Sequence, residues 1–175
     1  SKLWKGLFYC FWMSDKPLVQ QQLAQELSEL VLMVAGIDTR SDEAQVASLR
    51  HALAALDFYQ GFWHTMQAEW LGVDKFRIDK YYLLMRRFLQ AGCQLLLVYG
   101  CDALLVERYV HIMRGTDGPL SSNNVHVPDS ITYHICDAFL AELDAAVAAH
   151  AEASPAVPPI QLLAPFMDLA AASTA

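Results

Sequence analysis

Two small groups of acidic and histidine side chains have types and spacings that chemistry could use. Glu107 and His111 stand four positions apart, which places both on one face of a helix, as in many metal sites. Glu69, Asp74 and Asp79 gather around one turn, and a carboxylate pair can act as general acid and base. Two ligands do not complete a metal site. Helix capping by Asp74 and ion pairing by Asp79 explain the carboxylates better than catalysis does. The sequence therefore predicts no metal site and no catalytic pair.

The remaining reactive side chains also lack the arrangements that catalysis or cofactor binding requires. No H-E-x-x-H, G-x-S-x-G or glycine-rich phosphate loop occurs. His64 stands among aromatic residues in FWHTM, where we expect a partly buried, hydrogen-bonded histidine. The cysteines form no C-x-x-C pair and lie in apolar helical patterns, which favours free thiols in a reducing compartment: Cys10, Cys93, Cys101 and Cys136. We predict no enzyme activity, no catalytic residue, no cofactor and no small-molecule substrate.

Length and composition indicate one globular domain with a substantial core. The 175 residues are 55% hydrophobic and 18% charged, which excludes a disordered chain. No apolar run reaches the roughly 18 residues that span a bilayer, so we predict no membrane partner. Because the chain begins without an initiator methionine, we expect a region of a longer protein. The aromatics at helical spacing are expected in the core rather than as base-stacking platforms: Trp4, Phe8, Trp12, Phe62, Trp63 and Trp70.

Charge is divided unevenly along a chain whose net charge is −7. Residues 1–114 hold 12 basic and 12 acidic residues, so the whole excess lies in residues 115–175, which contain seven acids and no lysine or arginine. Such asymmetry is typical of proteins that dock in a fixed orientation on partners of opposite charge.

One stretch concentrates positive charge, because residues 72–89, GVDKFRIDKYYLLMRRFL, carry five of the 12 basic side chains. These candidate contact residues are Lys75, Arg77, Lys80, Arg86 and Arg87. One interpretation treats them as local ion pairs and solvated flanks, which contribute only about 0–1 kcal/mol when exposed. The other makes them a contact ridge for RNA phosphates or for an acidic partner. The residues themselves leave both interpretations open.

A helical wheel drawn from Asp74 at 100° per residue gives this stretch two apolar faces. The larger stripe contains Ile78, Tyr81, Tyr82, Met85, Phe88 and Leu89. Phe76 and Leu83 fall on the opposite side, and charged residues border this second patch, among them Lys80 and Arg87. A helix with two apolar sides is typical of the middle of a layered array. We therefore predict packing on both faces, with the charges along the seams or on an exposed ridge.

Helical periodicity covers nearly all of the sequence, and no segment shows sustained strand alternation. The predicted helices span residues 2–13, 18–34, 41–70, 74–99, 102–113, 129–147 and 160–172. Ser14 or Asp15 is expected to cap the second helix, and Pro17 suits its first turn. Short turns between helices predict an all-α fold, a HEAT-like helical-repeat or α-solenoid array of about six to seven helices. The expected division is a helical-repeat domain, 1–149, an Ala/Pro linker, 150–159, and a short C-terminal helix, 160–175, that packs back on the domain.

Four stretches combine an unusual composition with a fixed order along the chain. They are LWKGLFYCFWMSDKPLVQQQLA (3–24), GFWHTMQAEWLGVDKFRIDKYYLLMRRFL (61–89), ITYHICDAFLAELD (131–144) and, more weakly, LLAPF (162–166). Together they resemble the ribosomal RNA-processing protein 1 family over most of the chain. The resemblance implies an all-helical, HEAT-like domain of a nucleolar ribosome-biogenesis factor.

The same resemblance implies a non-enzymatic scaffold in pre-60S (large ribosomal subunit) assembly and pre-rRNA processing. The implied partners are other pre-60S assembly factors and pre-rRNA or large-subunit rRNA. The upstream helical repeat and the charged C-terminal extension of the family are absent from this sequence, which leaves direct RNA contact open. The alternative is a general protein-interaction α-solenoid with no RNA contact, and the acidic net charge favours it.

Overall fold

A computed structural model describes residues 2–37, 48–150 and 159–173. Its helices are α1 (Lys2–Trp12), α2 (Pro17–Val34), α3 (Leu49–Glu69), α4 (Ile78–Val98), α5 (Ala103–Arg114), α6 (Asp129–His150) and α7 (Ala164–Ala172), with 3-10 turns at Trp70–Gly72 and Ile160–Leu163. These ranges contain seven helices and no strand, which confirms the all-α prediction. None of the helices in the described part of the chain is both long and apolar enough to cross a bilayer.

The helix ends follow local backbone chemistry, with one correction. Pro17 occupies the first turn of α2 as predicted, but the cap position is Lys16, whose side chain makes no capping hydrogen bond. Ser14 instead closes α1, because its hydroxyl donates to the Phe11 carbonyl at 2.7 Å. Asp102 caps α5 by accepting hydrogen bonds from two backbone amides. The predicted helix start at 41–43 lies outside the described residues.

Helix α4 lies in the middle of the array and packs most extensively against α6 and α2, with further contacts to α3 and α5. Helix α4 therefore packs against four other helices, as expected for the middle of an array. Close approach is possible because Gly92 has no side chain, and an added Cβ would stand 2.9–3.0 Å from the rings of Tyr109 and Tyr59. The wheel was wrong for Phe76, which lies before the helix begins and is exposed.

Aromatic rings join α1, α3 and α4 into one core. Phe62 and Phe88 stack with ring centroids 3.7 Å apart, and Trp4 meets both rings edge-on. The Trp4 indole nitrogen donates to the Phe58 carbonyl at 2.9 Å, so its polar group is also satisfied. The predicted core position is confirmed for five of the six aromatics, whereas Trp12 is only half-buried.

The two ends of the described chain are less enclosed. Helix α1 is not buried all round, because Leu3 and Tyr9 are exposed, as is Met13 just after the helix. At the other end α7 packs against α5, and an ion pair of 3.1 Å joins Arg114 to Asp168. Residues 151–158 of the expected linker lie outside the described ranges, so the domain division stays a prediction.

Candidate partner-binding surface

The connection between α3 and α4 is a tight turn built on Asp74. One carboxylate oxygen of Asp74 accepts a hydrogen bond from the Phe76 amide at 2.9 Å, and the other pairs with the Arg77 guanidinium. The Asp74 carbonyl also accepts from the Arg77 amide at 3.0 Å. Because α4 begins only at Ile78, the predicted capping of the helix by Asp74 is wrong. Asp74 uses its side chain to shape the turn instead, a local role that aspartate often takes.

This turn projects Lys75 and Phe76 into solvent. Phe76 is 84% exposed, and its ring lies 5.0 Å from the Lys75 amine. Lys75 makes no ion pair within the described ranges. Of the five candidate contact residues, Lys75 is the exposed one without an ion pair in the described ranges, whereas Arg87, which also has none there, is half-buried.

Arg77 is held between the turn and the end of α1. Besides its pairing with Asp74, its guanidinium lies 4.7 Å from the centre of the Trp12 ring. A cation over an aromatic face contributes about 0.5–1 kcal/mol when it is exposed. Arg77 thus fastens the turn to α1 and covers one face of Trp12.

Lys80 is buried, although the wheel placed it at the border of an apolar patch. Its side chain crosses under the end of α1, where its amine donates to the carbonyls of Trp12 at 2.7 Å and Ser14 at 2.8 Å. The Trp12 carbonyl belongs to the last residue of α1 and carries partial negative charge. The Ser14 carbonyl follows just after the helix and also accepts from the Gln20 side chain at 2.8 Å. Only 6% of Lys80 is exposed, and burial lowers the pKa of its amine. In this fold Lys80 lies in a seam and not on an exposed ridge.

Arg86 and Arg87 face the neighbouring helix α6. Arg86 Nε donates to a carboxylate oxygen of Glu142 at 2.6 Å, and Glu142 itself is buried. Arg87 is half-buried, and its Nη1 lies 3.3 Å from the Gln90 side-chain oxygen. A cavity of about 310 Å³ between α4 and α6 is lined by both arginines and by Asp79, Tyr82, Leu83, His134 and Glu142.

The five predicted contact residues therefore do not form one patch. Lys75 and Arg77 belong to the turn, Lys80 lies beneath α1, and Arg86 and Arg87 point toward α6. Arg77, Lys80 and Arg86 already make charged or polar contacts that hold the helices together. Sequence spacing alone does not reveal this, because the partners are supplied by residues 56 to 68 positions away for Lys80 and Arg86.

The side chains that could do chemistry are also separated. Glu107 and His111 are both exposed on α5, and no group of three metal-binding side chains occurs in the described ranges. Glu69 is bound by the Lys5 amine and the Tyr9 hydroxyl, each at 3.0 Å, which hold its pKa below the ordinary value. The expectation for His64 was wrong, because it is exposed.

The buried cysteine is equally unsuited to nucleophilic chemistry. Cys93 is fully buried in α4, and burial raises the pKa of its thiol to about 12. The thiolate, which is the reactive form, is therefore scarce at neutral pH. Cys93 acts as a small apolar side chain in the core.

His134 joins α6 to α4 through its ring and its Nε2 nitrogen. Its ring stacks on Tyr82 with centroids 4.1 Å apart, and its Nε2 lies 3.0 Å from the Tyr82 carbonyl oxygen. Burial is the main cause that lowers the pKa of His134 below its ordinary value. The unfolded chain then takes up a proton more readily than the folded one, so stability that is present above about pH 6.5 is lost as the pH falls.

We expect the wild-type protein to lose more thermal stability between about pH 7.5 and pH 5.5 than a His134→Gln variant. Glutamine keeps a donor for the Tyr82 carbonyl but does not titrate. Thermal melting followed by circular dichroism at both pH values measures the difference. The exposed His126, replaced in the same way, is the control and should leave the pH dependence unchanged. Equal pH dependence in wild type and His134→Gln would contradict the prediction.

The acidic excess lies mainly on α6. Asp129, Asp137 and Asp144 are exposed on this helix, where no basic residue other than histidine is available. Glu142 points inward to Arg86 instead. The basic turn and the acidic helix therefore present charges of opposite sign on one domain.

The sequence matches the family model described as the nucleolar protein Nop52, over residues 1–175. It is also similar to ribosomal RNA processing protein 1 homolog A of Homo sapiens, with 35% identity over 142 residues, and of Mus musculus, with 34% identity over 170 residues. These alignments cover 81% and 97% of the chain, but only 27% and 30% of the relatives. Homolog B of Mus musculus is 35% identical over 81% of the chain and 17% of its own length. The chain thus spans less than a third of the length of these relatives.

Proposed function

The chain belongs to the Nop52 family of nucleolar proteins, and on that premise we propose that it is a non-enzymatic scaffold of pre-60S assembly and pre-rRNA processing. The observation that carries the proposal is the family match over residues 1–175, together with relatives named for ribosomal RNA processing. Its partners are other pre-60S assembly factors, its place of action is the nucleolus, and rRNA is the second class of partner.

The distribution of polar groups supports a scaffold. Charged side chains such as Lys80, Arg86 and Glu142 join helices to one another. A helical array whose charged side chains tie its helices together is suited to holding partners in fixed positions. A catalytic role would instead need converging acid, base or nucleophilic groups.

The alternative is a protein-interaction array that makes no direct RNA contact, and the site geometry gives it specific support. The Lys80 amine donates its hydrogen bonds to backbone carbonyls, and Arg77 and Arg86 are paired with carboxylates. Non-specific RNA affinity rises with the number of phosphates that lysine and arginine neutralise. The stretch 72–89 consequently offers less free positive charge than its composition indicates.

Affinity purification of the tagged full-length protein, with and without ribonuclease digestion, tests the proposal. We expect large-subunit assembly factors and pre-rRNA to copurify, and the factors to remain bound after digestion, because protein surfaces carry the contact. If neither large-subunit factors nor pre-rRNA copurified with the protein, the proposed scaffold function would be wrong. Ultraviolet crosslinking then distinguishes a scaffold that contacts RNA from an array that does not. RNA adducts within residues 72–89 indicate direct contact, and their absence favours the alternative.

A further inference from the structure

An exposed apolar surface surrounds the turn between α3 and α4. It consists of Tyr9, Met13, Leu71, Lys75 and Phe76 and is called the Phe76 surface here. We propose that it docks a folded partner protein that offers an apolar pocket bordered by carboxylates.

The exposure of these side chains has no explanation inside the domain. Phe76 is 84% exposed, Leu71 93% and Met13 74%, in a protein that buries its other phenylalanines fully or in part. Single exposed apolar residues are ordinary, but several in one region mark interaction sites. Large side chains that enter a pocket of the partner supply much of the binding energy at protein interfaces.

The turn holds Phe76 in a defined position. Its amide donates to Asp74, and Asp74 in turn pairs with Arg77, which lies over the Trp12 ring. The Phe76 backbone is thereby fixed within the turn, and the Arg77 side chain fastens the turn to α1. An anchor that is ordered before binding loses less conformational entropy on docking, which favours affinity.

Side-chain contacts connect the turn with the outer face of α1. The Tyr9 hydroxyl donates to Glu69 at 3.0 Å, two residues before Leu71. The Tyr9 and Trp12 rings have centroids 6.2 Å apart, and Trp12 carries the Arg77 guanidinium. These contacts join the turn to Tyr9 and Trp12 of α1, and Met13 and Leu71 lie beside the joined segments along the chain.

Charge indicates which partner suits the surface. Lys5 and Arg77 are already paired with Glu69 and Asp74, so Lys75 is the cation of the turn that has no ion pair in the described ranges. A carboxylate beside the partner's pocket would complement Lys75. That arrangement also matches the apolar centre and polar rim of protein interfaces.

A single-stranded RNA fits the same surface less well. Base stacking needs free aromatic faces, but the Arg77 guanidinium covers one face of Trp12. Leu71 and Met13 add exposed aliphatic area that phosphates cannot use.

Photocrosslinking in intact cells tests the proposal without assuming that the protein binds a ribosome precursor. The full-length protein carries p-benzoyl-phenylalanine in place of Phe76, or in place of Tyr133 as the control, since Tyr133 is a 67% exposed aromatic on α6. We expect position 76 to form an adduct with a peptide of another protein that differs from any Tyr133 adduct. An adduct with RNA, an adduct with a second copy of this chain, or no adduct at position 76 would overturn the proposal. If ribosome precursors did not copurify, the proposed scaffold function would be wrong. The crosslink at position 76 would still test the docking proposal.

Binding of the purified crosslinked partner to the full-length protein gives the quantitative test. We expect Phe76→Ala to weaken binding at least about tenfold, as for an anchor residue, and Tyr133→Ala to change it less than about twofold. Lys75→Glu should weaken binding, and replacing the partner's carboxylate by lysine should restore it. Unchanged binding of Phe76→Ala, with the same melting temperature as wild type, would contradict the assignment.

Discussion

Lys80→Glu is expected to lower the free energy of unfolding by about 3–5 kcal/mol. The substitution places a carboxylate against the carbonyls of Trp12 and Ser14, which now accept hydrogen bonds from the lysine amine. Both the attraction to the helix end and its satisfied hydrogen bonds are lost, and a buried charge remains without a partner. Equilibrium unfolding in urea, followed by circular dichroism, measures the change.

Lys75→Glu is the matched control, because it reverses the same charge five positions earlier on an exposed side chain. We expect it to change stability by no more than about 0.5 kcal/mol. Equal stability of the two variants would show that Lys80 does not hold the end of α1. The contrast has a practical consequence, because lost RNA or particle binding in Lys80→Glu would report unfolding and not a missing phosphate contact.

Phe88→Ala is expected to destabilise the protein by about 3–5 kcal/mol. Phe88 is fully buried on α4, stacks on Phe62 of α3 and meets the edge of Trp4 of α1. Its removal leaves a cavity where three helices join, and neighbouring rings cannot collapse without breaking their own contacts. The midpoint of urea unfolding should fall, and near-ultraviolet circular dichroism should report loosened aromatic packing.

Phe76→Ala provides the same chemical change at an exposed position twelve residues earlier. Because Phe76 is 84% exposed, we expect stability to change by no more than about 0.5 kcal/mol. If Phe76→Ala proved as destabilising as Phe88→Ala, Phe76 would have a structural role that excludes it as a partner anchor. This pair of variants thus checks the core and the Phe76 surface together.

Helical periodicity predicts most of the elements because core-facing residues must repeat with the helical period. The stripe of Tyr81, Met85, Phe88 and Leu89 is buried as the wheel indicates. Boundaries are harder, because one side chain can serve several local structures. Asp74 was compatible with a helix cap or a turn, and the turn forms because Phe76 and Arg77 both bond to it. The shift in helix start moves Phe76 from a predicted packing face to solvent.

The candidate contact residues show more clearly what residue spacing in the sequence cannot predict. A sequence identifies Lys75, Lys80 and Arg86 equally as cations on one stretch. Their environments differ because α1 places two carbonyls over Lys80, and α6 places Glu142 beside Arg86. Partners so far away along the chain leave no local pattern from which to predict them.

The sequence by itself determined the all-α class, the apolar faces of α4, the aromatic core and the family to which the chain belongs. These properties depend on composition, on residue order and on periodicity, which a linear chain displays directly. Only the tertiary structure decided which charges remain free. The reason is that hydrogen bonding and desolvation depend on what surrounds a group in space, and that arrangement exists only after α1, α4 and α6 have packed together. Lys80 became part of the interior, whereas Phe76, an apolar residue, became part of the surface.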